Sequence, residues 1–188
     1  MTDAEEPQPQ LLRSDLLAES GYLSFRRDTV RFPDGHEAER VVVGHPGAVA
    51  LIVVDDTDRW LLVRQYRHAA RHTLLEIPAG TRDHGEAPEE TAAREVREET
   101  GFAAGRLERI GGMWMVPGWG EEYIDFFVAS ELQPSPLPQD DDEYLSEPVR
   151  MALDEVYAAV DCGEIQDAKT IAALTLYERY VAHGEASI

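Results

Sequence analysis

The sequence has little cysteine, no long apolar run and few basic residues, and each shortage excludes a class of protein. Cys162 is the single cysteine of the 188 residues, so no disulfide can form within the chain, and this composition suits a reducing compartment. The longest strongly apolar run, Ala48–Val54, is far too short to cross a bilayer. The N-terminus has no basic-then-apolar signal pattern. We therefore expect a cytoplasmic protein that does not enter a membrane.

Negative charge dominates the composition, with 37 Asp and Glu against 17 Lys and Arg and a formal net charge of -20. A chain this acidic repels nucleic acid and anionic membrane surfaces, so neither is expected as a partner. If the substrate is also an anion, a positive group has to come between the two, and a divalent metal is the obvious candidate. The length suits one domain, or one domain with a small appendage, and is sufficient to bury a sizeable core.

The first quarter of the chain predicts a small β-structure. Residues 1–10 are acidic and proline-bearing and are expected to form a disordered tail. Residues 11–45 are expected to form a separate β subdomain, since two alternating segments flank a Pro-Asp-Gly turn at residues 33–35 and so predict an antiparallel hairpin. Within it, residues 11–20 fit either a short helical turn or the lead-in to a strand.

The remaining residues, 46–188, are expected to form the main domain. Apolar periodicity predicts strands over residues 47–56, 60–67, 72–80, 105–115 and 121–132, and helices over residues 88–100, 152–160 and 167–183. A strand-rich centre with one internal helix and helices at the end predicts an α/β or α+β fold with mixed sheets.

The segment from Gly80 to Phe102 carries seven carboxylates, three of which lie within five positions: Glu95, Glu98 and Glu99. The proline and the glycine that bracket residues 88–100 suit the two ends of a helix, so these acids share its last turns. Glu95 and Glu99 are four residues apart and therefore share a face. Acids at such spacing repel one another and oppose the helix macrodipole. The segment is either a solvated acidic helix end or a site for a cation such as Mg²⁺, which prefers carboxylate oxygen.

The spacing of this segment resembles the Nudix box, Gly-x5-Glu-x7-Arg-Glu-U-x-Glu-Glu-x-Gly-U, where U is a bulky apolar residue. Every specified position between Gly80 and Phe102 matches. The resemblance implies a Nudix-type α/β/α sandwich with mixed sheets and an N-terminal antiparallel β-hairpin subdomain. It also implies metal-dependent hydrolysis of a nucleoside diphosphate linked to another moiety, with Mg²⁺ as the cofactor and Mn²⁺ or another divalent metal as the alternative.

The same resemblance implies roles for individual residues. Glu95 and Glu99 would be the principal metal ligands, and Glu98 would be a ligand or a catalytic acid beside them. The main-chain carbonyl of Ala79, just before the box, would be a further ligand. The residues with a structural role in the motif would be Gly80, Glu86, Arg94 and Gly101.

Segments outside the box resemble the ADP-ribose pyrophosphatase branch of the superfamily, over about residues 21–180. They are HPGAVALIVV, LLVRQYRHA, LEIPAG and GEIQDAKT, together with Pro117, fifteen residues past the box. The implied substrate is ADP-ribose, cut to AMP and ribose 5-phosphate, and the implied assembly is a homodimer built through the N-terminal hairpin. The box fits equally a pyrophosphatase for another nucleotide sugar or for a dinucleotide such as NADH or FAD. A non-catalytic ADP-ribose-sensing module is a further alternative, although such modules usually lose box acids that this chain retains.

The branch resemblance also implies contacts with the substrate. Arg67 matches a position that contacts phosphate or ribose, and Glu122 matches an acid close to the site. Phe25 and Arg40 match residues that sandwich adenine, and Trp119 is a further neighbour of base or ribose, although core or surface roles stay open for all three. In this family a loop that closes over the substrate supplies a catalytic acid, for which the best match is Glu143, with Asp141 as the alternative.

Overall fold

A computed structural model describes residues 7–138 and 146–185, and all structural statements here refer to these residues. Two compact units are present, one formed by the chain up to Pro46 with Val116–Glu122, the other by Gly47–Met115 and the chain from Tyr123 onward. In chain order, the elements are β1 (Gln10–Ser20), β2 (Leu23–Arg31), β3 (Glu37–Gly44), β4 (Ala48–Val54), β5 (Arg59–Arg67), β6 (His72–Glu76), β7 (Ala79–Thr81), α1 (Pro88–Thr100), β8 (Phe102–Trp114), β9 (Tyr123–Pro134), β10 (Val149–Ala152), α2 (Leu153–Asp161) and α3 (Ala168–Glu185).

The first unit is an antiparallel sheet of three strands in the order β1-β2-β3. The predicted hairpin is formed by β2 and β3, and Gly35 adopts the positive φ of 89° that its turn requires. Residues 116–122 pair with β3, since the Val43 N–H donates to the Trp119 carbonyl at 2.8 Å and the Glu121 N–H donates to the Val43 carbonyl at 2.9 Å. The Arg26 guanidinium fixes the same segment through Glu121, at 2.5 and 3.1 Å.

Residues 11–20, for which the sequence left a helical turn and a strand as alternatives, belong to strand β1 of this sheet. The register of β1 against β2 shifts twice, between Leu11 and Arg13 and between Leu16 and Ala18. Each shift falls at a leucine doublet, so one leucine of each doublet lies at a β-bulge. Because a bulge interrupts the two-residue alternation, the sequence of β1 does not show the regular pattern that identifies a strand.

The second unit is built on a mixed sheet in the order β10-β5-β4-β9-β8, with β6 paired to β5 and β7 paired to β4. The strands β4 and β9 run parallel, and the other pairs are antiparallel. Strand β10 was not predicted, because its four residues follow a proline-rich acidic stretch and are too short to show a period.

Strand β4 is buried along its whole length because the sheet is covered on both faces. Its residues 49, 51 and 53 pack with Ala92 and Val96 of α1, whereas residues 48, 50, 52 and 54 pack with residues of α2 and α3. The three layers confirm the predicted α/β/α sandwich with mixed sheets. No helix within the described part of the chain is long and apolar enough to cross a membrane.

Candidate active site

Helix α1 carries the acid-rich motif, and its packing determines where the acids point. Ala92 and Val96 are fully buried against β4. Glu95 and Glu99 lie on the same side of the helix as this pair, so docking the apolar residues on the sheet turns both carboxylates inward. Glu95 is 6% exposed and Glu99 is 2% exposed. Two buried carboxylates on one helical turn are unusual, because acids are rarely buried without compensation.

The ends of α1 lie where the sequence predicts them. Pro88 occupies the first turn, and the preceding Ala87 has no side-chain acceptor. Its N–H instead donates to the Glu90 carboxylate at 2.9 Å, which stabilises the helix start from within. At the other end Gly101 has a φ of 79° and its N–H donates to the Arg97 carbonyl at 3.2 Å. A left-handed residue is required there, so glycine ends the helix without strain.

Strand β7 provides the surface on which the two buried acids rest. A Cβ atom at Gly80 would lie 1.8 Å from Oε1 of Glu95, so only glycine leaves room for that carboxylate. One residue earlier, the Ala79 N–H donates to Oε2 of Glu99 at 3.2 Å. The two candidate metal ligands of α1 therefore lie against the same short strand that carries the Ala79 carbonyl.

Arg94 is the hub of the remaining acids. Its Nη1 donates to Oε1 of Glu95 at 2.7 Å and to Oε2 of Glu98 at 2.8 Å. Its Nε and Nη2 donate to Glu86 at 3.2 and 3.1 Å, and Nη2 also donates to the Thr81 carbonyl at 3.3 Å. The hydrogen bonds with Glu86 raise the pKa of Arg94 and burial opposes them, while the charge of Glu95 and the hydrogen bonds with Glu98 and Glu95 raise it further. Arg94 and Glu98 thus form an ion pair at four-residue spacing on α1.

The carboxylate of Glu86 accepts hydrogen bonds from Arg94 and from two further groups. The hydrogen bonds from Arg94 lower its pKa to about 2, burial opposes them, and further hydrogen bonds come from the Asp83 N–H and the Thr91 hydroxyl. The Glu86–Arg94 pair thereby ties the loop before α1 to the helix, which is the structural role that the motif implies for these two residues.

The donor set fits a divalent metal by its chemistry. In the parts of the chain that the structure describes, no three His, Cys, Asp or Glu side chains surround one point as metal ligands. Two of the candidate carboxylates, those of Glu95 and Glu98, instead turn onto Arg94. One guanidinium thus serves three carboxylates, with a fourth, that of Glu99, buried on the same helix. Carboxylate oxygens beside a main-chain carbonyl are ligands that a hard divalent cation prefers.

Arg67 lies at the end of β5 and is tied to a buried acid. Its Nε and Nη2 donate to Oε1 of Glu76 at 3.0 and 2.5 Å. The Glu76 side chain is 1% exposed, whereas that of Arg67 is 38% exposed. Burial acts to lower the pKa of the guanidinium, but the charges of Glu76, Glu99 and Asp167 outweigh it, so the pKa lies above its ordinary value. Arg67 therefore belongs to the electrostatic surroundings of the α1 acids.

A comparison with known families decides what this arrangement is. The NUDIX domain profile matches residues 44–174. The chain belongs to the Nudix family.

Proteins similar to this Nudix chain carry different names. It is 38% identical over 151 residues to the ADP-ribose pyrophosphatase of Bacillus subtilis (strain 168), covering 78% of this chain and 80% of that protein. It is 31% identical over 169 residues to the methanol dehydrogenase activator of Bacillus methanolicus, covering 89% and 91%. A crystal structure of an ADP compounds hydrolase shares the fold with a TM-score of 0.83 at 24% identity, covering 96% of this chain and 98% of that one.

Four of the residues predicted to contact substrate belong to the first unit, outside the sheet that carries the Nudix box. Phe25 pairs with Val43, and Arg40 pairs with Asp28 three positions along, so Phe25 and Arg40 point to opposite faces of the three-stranded sheet. The structure does not bring these two together.

Arg40, Trp119 and Glu122 each have different surroundings. The Arg40 guanidinium lies over the ring of Phe32, 5.4 Å from its centroid. Trp119 is exposed, and Glu122 is half-buried. The charge of Glu122 acts on His45. Burial lowers the pKa of His45 more than this charge raises it, so the pKa lies below its ordinary value.

The two acids predicted as general base candidates, Asp141 and Glu143, lie outside the described residues. The structure adds residues that the sequence did not single out: Glu76, Asp167, Lys169 and Thr170. An acid inside the apolar strand end LLEI and a lysine among the apolar residues at the start of α3 were visible signals. Neither indicates a partner on its own, because the contacts join segments about ninety residues apart.

Proposed function

We propose that this Nudix chain is an ADP-ribose pyrophosphatase, which hydrolyses the pyrophosphate bond of ADP-ribose to AMP and ribose 5-phosphate. The burial of Glu95 and Glu99 against β7 carries this proposal, because it gathers carboxylate oxygens beside the Ala79 carbonyl, and these are the donors that a hard divalent cation prefers. The identity of 38% to the B. subtilis ADP-ribose pyrophosphatase supports the choice of substrate.

Nudix hydrolases generally need a divalent metal, and we propose Mg²⁺ for this chain. Glu95, Glu99 and Glu98 would hold it together with the Ala79 carbonyl, which gives a set of hard oxygen donors. When bound, the metal neutralises the pyrophosphate oxygens and lowers the pKa of a water. Removing divalent metal with EDTA should abolish turnover, and Mg²⁺ or Mn²⁺ should restore it. The melting temperature of the wild-type protein should rise with Mg²⁺, and an unchanged melting temperature would contradict the site.

The reaction itself is a displacement at phosphorus. The oxygen of a water forms a bond to one phosphorus atom, the bridging P–O bond breaks, and a base accepts the water proton. Arg67 would present its exposed edge to the anionic oxygens, for which a guanidinium has the required fork of donors. Glu86 and Arg94 would hold the box loop on the helix so that these groups keep their positions.

For the base we propose Glu143, with Asp141 or Glu98 as the alternatives. General-base assistance is worth about 10²–10⁴-fold, so Glu143→Gln should lower kcat by that order with little change in KM. If Asp141→Asn has the large effect and Glu143→Gln the small one, the base lies two residues earlier. If neither variant is impaired, Glu98→Gln tests the remaining candidate.

Substrate choice is tested directly by a panel. ADP-ribose, GDP-mannose, NADH and FAD would each be incubated with the protein and Mg²⁺, and phosphate released from the products by an added phosphatase would be measured. We expect the highest kcat/KM for ADP-ribose, with AMP and ribose 5-phosphate as the products by chromatography. A higher kcat/KM for a dinucleotide or another nucleotide sugar would move the assignment to that alternative, and binding of ADP-ribose without turnover would indicate a sensing module.

We also propose that the active protein is a cytoplasmic homodimer built through the three-stranded sheet of the first unit. Both faces of this sheet expose large apolar side chains, and exposed apolar area of this kind indicates a protein contact. They include Leu11, Leu12, Leu16, Leu17 and Val41. Leu16→Lys combined with Val41→Lys, or deletion of residues 1–45, should give monomers or aggregates by light scattering. A variant that stays dimeric, or a deleted chain that is a soluble and fully active monomer, would contradict this assembly.

A further inference from the structure

Glu76 is a fully buried acid that the hydrolytic mechanism above does not use. It is 1% exposed and holds two cations at once. One oxygen accepts both hydrogen bonds from Arg67, and the other lies 2.9 Å from the Lys169 ammonium. The two cations hold the two oxygens of one buried carboxylate, so a change at either cation can act on the other through Glu76.

Lys169 is the only lysine of the chain, since the other sixteen basic residues are arginines. Its side chain is 7% exposed, so its ammonium makes its interactions inside the protein. The second partner of the ammonium is Asp167 at 3.1 Å. A compact ammonium suits this position, because its three donors diverge, whereas a guanidinium presents a planar fork.

Asp167 and Thr170 join this lysine to the strand that leads into the metal site. The same oxygen of Asp167 accepts from the Thr170 N–H at 2.9 Å and from its hydroxyl at 2.6 Å. The Thr170 hydroxyl oxygen accepts the Ile77 N–H at 3.0 Å. Ile77 is two residues before Ala79, so the first turn of α3 is fixed to the backbone just ahead of β7.

The two cations that contact Glu76 differ in their exposure to solvent. Arg67 keeps 38% of its side chain exposed, whereas Lys169 is enclosed. An anion arriving from solvent therefore meets the guanidinium and not the ammonium. If Arg67 alone neutralised Glu76, an incoming phosphate would compete with a buried acid for the same guanidinium.

From this geometry we propose that Lys169 and Glu76 are positioning residues that make Arg67 available to the substrate. Glu76 orients the guanidinium with two hydrogen bonds, and Lys169 neutralises Glu76 so that Arg67 can bind an anionic oxygen of the pyrophosphate. This inference rests on the proposed function, and on a role for Arg67 in binding the substrate.

The test separates binding from turnover. Lys169→Met removes the cation at the second oxygen of Glu76, so we expect KM for ADP-ribose to rise roughly 10-fold, with kcat within about threefold of wild type. Lys169→Arg restores the positive charge and should bring KM most of the way back to the wild-type value. A fall in kcat at unchanged KM, or equal damage from both variants, would overturn the assignment, because a general structural defect has no reason to act on KM alone.

Two further variants guard against misreading. Glu164→Gln removes an ion pair with Arg64 at 2.6 Å that joins the same two regions of the chain but lies on the surface, so it should leave KM unchanged. If Lys169→Met does not fold, Asp167→Asn provides a milder change. It weakens the interaction that holds the ammonium of Lys169 and keeps the positive charge of that lysine. It should raise KM in the same direction and by less, and an unchanged KM in this variant would count against the inference.

A single lysine also permits a readout that does not depend on catalysis. Protein grown with lysine labelled with ¹³C at Cε gives one side-chain NMR signal, and ADP-ribose added without metal should shift it. In Arg67→Gln the shift should be lost. If wild type hydrolyses ADP-ribose but the signal does not move, the positioning role fails and the activity stands. If wild type hydrolyses nothing in the panel and the signal still moves, the activity fails and the link from ligand to Lys169 stands.

Discussion

Two groups of buried or half-buried acids lie in the second unit, and they differ in the cations that they contact. Glu76 is a single carboxylate held by two cations, Arg67 and Lys169. Around α1 the arrangement is reversed, since the single guanidinium of Arg94 contacts three carboxylates, those of Glu86, Glu95 and Glu98. Each oxygen of Glu76 therefore meets a cation, whereas three acids of the Nudix box share one guanidinium. Carboxylates crowded around one guanidinium provide the oxygen ligands that a divalent cation from solution prefers.

The largest effect is expected from replacing one of the buried acids of the Nudix box. Glu99→Gln removes one buried charge and one candidate ligand, so kcat/KM at saturating Mg²⁺ should fall at least ~100-fold. The melting temperature without metal should stay the same or rise, because the repulsion among the α1 acids is reduced. Steady-state kinetics and thermal melting test both parts, and turnover like that of wild type would rule out the role of Glu99.

A smaller effect is expected when the acids are kept and only their support is changed. In Gly80→Ala the new Cβ would overlap the Glu95 carboxylate, so that acid has to leave β7. The apparent affinity for Mg²⁺ should fall about 10–100-fold, the cost usually seen when the support of a metal ligand is disturbed. A titration of activity against Mg²⁺ measures this shift. Gly184→Ala is the matched control, because a Cβ there meets nothing within 4 Å, and equal losses in both variants would contradict the steric explanation.

The smallest effect concerns stability and its dependence on pH. The pKa of Glu86 is about 2 in the folded chain, below its ordinary value of 4.5, so the ionised form stabilises the fold above about pH 4.5. That contribution is lost as the pH falls from about 4.5 towards 2. Glu86→Gln should therefore be roughly 1–3 kcal/mol less stable at pH 7, and the difference from wild type should shrink in acid.

Urea unfolding at pH 7 and at pH 3.5 measures this difference. Glu155→Gln is the control, because Glu155 pairs with Arg59 on the surface, with both side chains more than 40% exposed. A surface pair of this kind contributes about 0–1 kcal/mol. If the difference in the free energy of unfolding between Glu86→Gln and wild type stays constant across this pH range, the low pKa of Glu86 is contradicted.

The sequence predicted α1 to the residue because local chemistry specifies both of its ends. A proline at the start and a glycine that must adopt positive φ are signals that do not depend on the rest of the fold. The buried strands were similarly visible as apolar runs. The box acids were found by their spacing, and the structure places Glu95 and Glu99 together against Gly80 and Ala79.

What the sequence did not predict depends on irregular register or on distant contacts. The leucine doublets of β1 break the alternation of a strand, and only pairing with β2 shows where the bulges lie. The link between Glu76 and Lys169 joins the end of β6 to the start of α3, and no local pattern specifies such a pair. The adenine contacts proposed for Phe25 and Arg40 depended on which face each occupies, which follows from the register of β2 against β3.

The parallel pairing of β4 with β9 has a consequence for how the protein is made. Ala48 pairs with Ile124 and Val53 with Ala129, so β4 leaves the ribosome long before its parallel neighbour. At ordinary translation rates of about 5–20 residues per second, that delay is roughly 4–15 s. During this time a strand of seven apolar residues, and the face of α1 that packs on it, lack part of their cover. The nascent chain is therefore most prone to aggregate, and most in need of a chaperone, in the interval before β9 emerges.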